Sequence, residues 1–111
     1  MKHIVAIATV DGKTIYQHFG HAEVFQVVSI SDKDYTYVES RKTTPSCQDF
    51  QHSQDAFEQV ISVLHDCEAI FVGKIGPGAA ARVVSSGKRV FETPGLVDDV
   101  LRQVIEQHLL D

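Results

Sequence analysis

Few side chains in this sequence could do chemistry, and those few are the types that hold a soft metal. His18 and His21 bracket Phe19-Gly20. A neutral imidazole binds metal through either ring nitrogen, and a glycine lets the backbone come close to whatever is bound. His18 reads either as such a ligand or as a surface histidine that caps a turn. His21 reads equally as a second contact or as an ordinary residue at the start of a strand. Cys47 offers a thiolate, the favoured ligand of iron–sulfur clusters. It sits in a polar stretch, whereas structural cysteines usually lie among apolar neighbours; the ligand and structural readings are evenly matched. His52, close behind, fits a contact or a helix entry. Cys67 precedes an apolar run and reads as core, while His3, His65 and His108 read as solvated or capping residues.

These ligands do not complete a site by themselves. The chain has neither a CxxC nor an HxxxH pair, so a closed zinc or four-cysteine cluster site is not expected. Such a shortage suits a protein that holds a prebuilt cofactor loosely and passes it on. Gly76-Pro77-Gly78 adds a second kind of chemistry. Proline at the first helical position lacks an N–H that would be unpaired anyway. Open amides and the helix dipole then favour an anion, although a tight strand-to-helix turn accounts for the same glycines. No Gly-Lys-Ser/Thr follows, so this is not a nucleotide-binding P-loop. No Gly-x-Ser-x-Gly elbow is present. A two-metal nuclease would need carboxylates on central strands, and neither Ile4–Thr9 nor Ala69–Val72 contains one.

The elements that must position these residues follow from periodicity. Ile4–Thr9 is a continuous apolar run, the pattern of a strand buried on both faces, ended by Asp11-Gly12. Lys13–His21 reads as a loop. Glu23–Ile30 alternates, with Val24, Val28 and Ile30 on one face and Phe25 and Val27 on the other, and Tyr35–Glu39 returns as a hairpin partner. Ser40–Ser53 has no periodicity and reads as a long loop, a length usually tied to function. Phe57, Val60, Ile61 and Leu64 then recur at helical spacing, with Ser53 as the N-cap. Ala69–Val72 is a buried strand, Ala79–Ser85 a helix closed by Gly87, and Val90-Phe91 the last strand. Val97, Val100, Leu101, Val104, Ile105, His108 and Leu109 form the apolar side of a final helix. The order β-β-β-α-β-α-β-α predicts an α/β fold, with a mixed sheet covered by helices on both faces. In such sheets ligands gather outside the carboxyl ends of the parallel strands. The loops bearing His18, Cys47 and Gly76 are expected to meet at that rim.

Composition agrees. The 111 residues, 43% hydrophobic and 23% charged, read as one domain over residues 1–111. A net charge of −5 disfavours nucleic acid as a partner. No run approaches the roughly 20 apolar residues of a membrane span, and the opening apolar run is too short for a signal peptide. Two cysteines make no disulfide framework, which points to a reducing cytoplasm.

The residues also match a family. Val5-Ala6-Ile7-Ala8-Thr9 with Asp11-Gly12, then Gln17-His18-Phe19-Gly20-His21-Ala22, Asp66-Cys67-Glu68-Ala69-Ile70 and Gly73-Lys74-Ile75-Gly76-Pro77-Gly78-Ala79 span nearly the whole chain. In these motifs it resembles the dinitrogenase iron–molybdenum cofactor biosynthesis family, which includes small cofactor carriers and the C-terminal domain of the radical enzyme that assembles the cofactor's core. The resemblance implies a ribonuclease H-like, five-stranded mixed sheet without nuclease carboxylates. It implies binding of the iron–molybdenum cofactor, its iron–sulfur precursor or a related cluster, in a carrier that is not an enzyme. Cofactor contacts are expected at His18, Phe19, Gly20, His21, Gly76 and Gly78, with His18 and Cys47 as metal ligands. Cys47 is similar to a loop cysteine of the assembly-enzyme subgroup. Some relatives carry a glycine- and histidine-rich loop there, and Ser40–Ser53 has no glycine. The expected partner is a cofactor-assembly or acceptor protein. The competing reading is a metal-independent interaction or regulatory module of the same fold.

Overall fold

In the computed structural model, residues 2–15, 18–43 and 54–110 are described, with side chains in the last segment from residue 58 onward. Cys47, His52 and the Ser53 cap lie outside these residues, as does the side chain of Phe57. The elements run β1 (His3–Ala8), β2 (Thr14–Ile15), a 3₁₀ turn (Phe19–His21), β3 (Val24–Ile30), β4 (Tyr35–Lys42), α1 (Gln54–Val63), β5 (Ala69–Val72), α2 (Pro77–Ser85), β6 (Arg89–Glu92), β7 (Gly95–Leu96) and α3 (Val97–Glu106). Five strands form one sheet in the order β4-β3-β1-β5-β6. The β1–β3 and β3–β4 pairs are antiparallel, and β1–β5 and β5–β6 are parallel. This is the mixed α/β sheet that the apolar runs and hairpin predicted.

The alternation of β1 decides which helix covers which face. Ala6 and Ala8 share a buried cluster with Phe25 and Val27 of β3, Ile70 and Val72 of β5, Val60 of α1 and Val83 of α2. Val5 and Ile7 point the other way, into a cluster with Val28, Ile30, Ala69, Phe71 and the α3 residues Val97, Leu101 and Val104. Helices α1 and α2 therefore cover one face and α3 the other. The alanines of β1 leave room on the first face for the rings of Phe25 and Phe19, both buried there.

Several boundaries differ from the sequence reading, each for a physical reason. β4 continues through Ser40, Arg41 and Lys42, which pair with Gln26, Phe25 and Val24; an edge strand with mostly exposed side chains tolerates polar residues that periodicity scores as loop. The stretch read as a loop after β1 contains β2, which pairs with β7 through Thr14–Leu96 and Ile15–Gly95. Both strands are too short to show a pattern. Gly95, at φ 140°, takes a conformation closed to other residues. α3 stops at Glu106, and His108 adopts a left-handed φ of 52°. The chain is thereby redirected so that Leu110, and not Leu109, is buried. His3 is not solvated. It is buried in β1 opposite Ile30, and its Nδ1 pairs with the Glu68 carboxylate.

One ion pair ties the edge strand to the end of α1. Arg41 meets Asp66 with both terminal nitrogens, at 2.6 and 3.0 Å, and also donates to the Val63 carbonyl at 2.9 Å. The guanidinium holds the Asp66 carboxyl well below its ordinary value of 3.8. A depressed folded-state pKa stabilises above the unfolded value and loses that contribution as pH falls through the folded one. Stability should therefore be insensitive to this pair down to about pH 4 and decline below it. The Asp66 side chain is 42% exposed, so Asp66→Asn should cost only about 1 kcal/mol at pH 7 and flatten the acid limb of a urea-denaturation series.

Candidate functional site

The loop after β1 and the loop after β5 meet. His18 forms a parallel bridge with Lys74, and the Phe19 N–H donates to the Lys74 carbonyl at 2.9 Å. Both segments follow carboxyl ends of parallel strands, so the shared rim expected from the topology is present for His18 and the Gly73–Gly78 loop. Cys47, the third expected contributor, is outside the described residues.

Two contacts shape the histidine loop. The Phe19 ring is sunk in the core, 2% exposed, and packs at 6.2 Å from the Phe25 ring. That anchor starts a 3₁₀ turn in which the His21 N–H donates to the His18 carbonyl at 3.0 Å and the Ala22 N–H to the Phe19 carbonyl at 3.2 Å. His18 is its N-cap: the buried Gly20 N–H donates to His18 Nδ1 at 3.2 Å. Histidine here does what serine or asparagine usually does at a helix start. The capping role read from sequence is therefore present at His18, whose ring is also exposed. His18 and His21 are exposed, and their rings meet edge-on with centroids 5.4 Å apart. Phe19 and Gly20 lie behind them as the support of the turn.

On the other side of the bridge, Gly76 caps α2 with Pro77 at the first helical position. Neither Gly76 nor Gly78 has an atom within 4 Å of where a Cβ would sit. The space above this helix start is open, and both glycines keep ordinary backbone angles there. The Ile75 N–H donates to the Glu92 carboxylate at 2.8 Å, so a residue at the end of β6 pins the glycine loop. Sequence reasoning missed Glu92, because nothing local in Val90-Phe91-Glu92 signals a contact with a loop seventeen residues away. It also passed over Lys74, an exposed cation at the bridge itself.

Cys67 is buried, and burial pushes its thiol up to about 11, as expected of a core cysteine and not of a thiolate ligand. His65 turns Nδ1 to the Ser62 carbonyl near the end of α1. Among the described residues, no three His, Cys, Asp or Glu side chains gather in a way that could hold a metal ion. The described rim thus presents the exposed His18, His21 and Lys74 beside the start of α2, with the Glu92 carboxylate behind the glycine loop.

The chain is 37% identical over 73 residues to the FeMo cofactor biosynthesis protein NifB of Herbaspirillum seropedicae, covering 66% of this chain and 14% of that protein. It is 35% identical over 104 residues to protein NifX of Sinorhizobium fredii, covering 87% of this chain and 64% of that one. The chain thus spans only a small part of the NifB relatives. Among solved structures, PH0822 superposes with a TM-score of 0.72 at 22% identity, covering 94% of this chain and 90% of its own. A protein of Methanocaldococcus jannaschii superposes with a TM-score of 0.64 at 18% identity, covering 96% and 91%. Both likenesses bear on the fold alone. The model of the family described as dinitrogenase iron-molybdenum cofactor matches residues 1–107, and the chain belongs to that family.

Proposed function

We propose that this chain takes part in iron–molybdenum cofactor biosynthesis by binding and carrying the cofactor, its iron–sulfur precursor or a related metallocluster, without catalysing its assembly. The observation that carries this reading is the backbone bridge between His18 and Lys74. It sets two exposed imidazoles, a lysine and the start of α2 along one rim. A helix N-terminus and a cation favour an anionic ligand, and a sulfide-rich cluster is one. Family membership and the names of the NifB and NifX relatives support the cargo class. His18 and Cys47 are its proposed contacts, the thiolate as a metal ligand, with His21, Gly76 and Gly78 lining the approach. The order of the five long strands supports a ribonuclease H-like arrangement, and we take residues 1–111 as one unit.

A cytoplasmic setting keeps the thiol reduced, and an assembly or acceptor protein is the proposed partner. The net charge of −5 argues against nucleic acid. No helix among the described residues is long and apolar enough to cross a membrane.

Anaerobic titration with isolated iron–molybdenum cofactor tests the reading. His18→Ala and Cys47→Ala should each weaken binding by about tenfold or more, the equivalent of one lost contact of roughly 1.4 kcal/mol. Unchanged affinity in both variants would remove the site assignment. A partner recovered equally well by metal-free protein, with no cluster bound, would favour the interaction-module reading, which gains from the lack of a three-ligand group among the described residues.

A further inference from the structure

The cap at the histidine turn constrains which chemistry His18 can do. A neutral imidazole has one N–H and one in-plane lone pair. Here the lone pair of Nδ1 accepts the Gly20 N–H at 3.2 Å, which puts the ring's proton on Nε2. Histidines that ligate a metal show the opposite polarity: the nitrogen away from the metal carries a proton and donates it to a carbonyl or carboxylate. For Nε2 to bind iron or molybdenum, the proton would have to move to Nδ1, where it would face the Gly20 N–H donor to donor. Gly20 is buried, so its amide would be left stranded without a partner. The turn cannot easily swing aside, because Phe19 anchors it in the core and its amide is bonded to the Lys74 carbonyl at 2.9 Å.

We propose that His18 meets the cluster as a hydrogen-bond donor, with Nε2–H directed to a sulfide or carboxylate oxygen of the cargo, and makes no metal–nitrogen bond. This rests on the reading that the chain carries a cluster. Donation leaves the cap intact and needs no proton movement. It also leaves the cluster's own metal coordination unchanged at this contact, so release to an acceptor requires no ligand exchange at His18.

Cargo-free protein provides the first test. Long-range ¹H–¹⁵N spectra of the imidazoles at a pH where His18 is neutral should show the Nε2–H tautomer. An Nδ1–H tautomer overturns the proposal whatever the protein binds. The second test uses isolated iron–molybdenum cofactor under anaerobic conditions. His18→Gln places an amide donor near the position of Nε2 but is a poor metal ligand, and should bind within about fivefold of wild type. His18→Cys, a strong ligand for iron but a poor donor, should bind about tenfold more weakly, the effect of one charge-assisted hydrogen bond. With ¹⁵N-histidine labelling, the cofactor's spin should show no hyperfine coupling of the size a directly bound imidazole gives. The reverse order of the two variants, or a directly bound nitrogen in the spectrum, refutes the donor role while leaving the carrier reading in place. Failure of the wild-type protein to bind the cofactor refutes the carrier reading and, with it, the donor role.

Discussion

Replacing Lys88 by methionine should destabilise the protein by about 3 kcal/mol, measured by urea denaturation with an unchanged slope. Lys88 is only 8% exposed. Its ammonium donates to the carbonyls of Leu64 and Cys67 at 2.8 Å each and to that of His65 at 3.3 Å. These carbonyls lie just past α1, where the helix has run out of amide partners and its dipole is negative. One ammonium thus gathers three carbonyls at this helix end, of which that of Leu64 also accepts the Cys67 N–H at 2.9 Å. Methionine keeps most of the apolar stem but removes the ammonium from the Cys67 and His65 oxygens, each at a cost of about 1–3 kcal/mol partly relieved by water, while the Leu64 oxygen keeps its amide donor. A loss below about 1 kcal/mol would mean that water reaches these carbonyls freely. For a domain whose total stability is on the order of 5–15 kcal/mol, the expected loss is a large share.

Truncating Phe19 to alanine should cost about 3–4 kcal/mol, the usual range for a fully buried ring. Phe19→Leu, which refills much of the space, should cost about 1 kcal/mol. The alanine variant carries a second, local consequence. The ring is the anchor of the turn whose N-cap is His18, so its removal frees the backbone that holds the two histidines at their 5.4 Å separation. Amide hydrogen exchange at Gly20 and His21 should accelerate more than the global loss of stability accounts for. An effect spread evenly over the chain would show that the turn is held by its bridge to Lys74 alone. This experiment needs no cargo and reads the architecture of the rim directly.

What could be read from the residues divides along the range of the interactions. β1 and β5 were legible because burial on both faces leaves a continuous apolar run, and Val5–Ala8 and Ala69–Val72 are that. The two faces of β3 followed from alternation, and the final helix from its spacing up to Glu106. The rim was anticipated because parallel strands send their following loops to one end, and the His18–Lys74 bridge lies there. The long-range contacts were not legible. The partners of Lys88 lie more than twenty residues earlier and are backbone atoms, which no local pattern signals. His3 read as a solvated or capping residue, yet its strand runs through the middle of the sheet. The pairing of β2 with β7 depends on two residues in each strand. At the site, residue types named the candidates, but only the geometry showed that His18 is both exposed and already engaged through one nitrogen.

Lys88 precedes β6, and the carbonyls it gathers precede β5, which sets this clamp at the end of the parallel strands away from His18 and Gly76. The His3–Glu68 pair lies at that end too, beside the entrance to β5. The Lys88 and His3 contacts thus close the pole of the sheet opposite the proposed site. Exposed residues of the other rim, such as Lys74, can then be exchanged without touching the contacts that close this end. A protein engineer could likewise vary the exposed side chains of the His18–Gly76 edge, provided that the Phe19 anchor is kept.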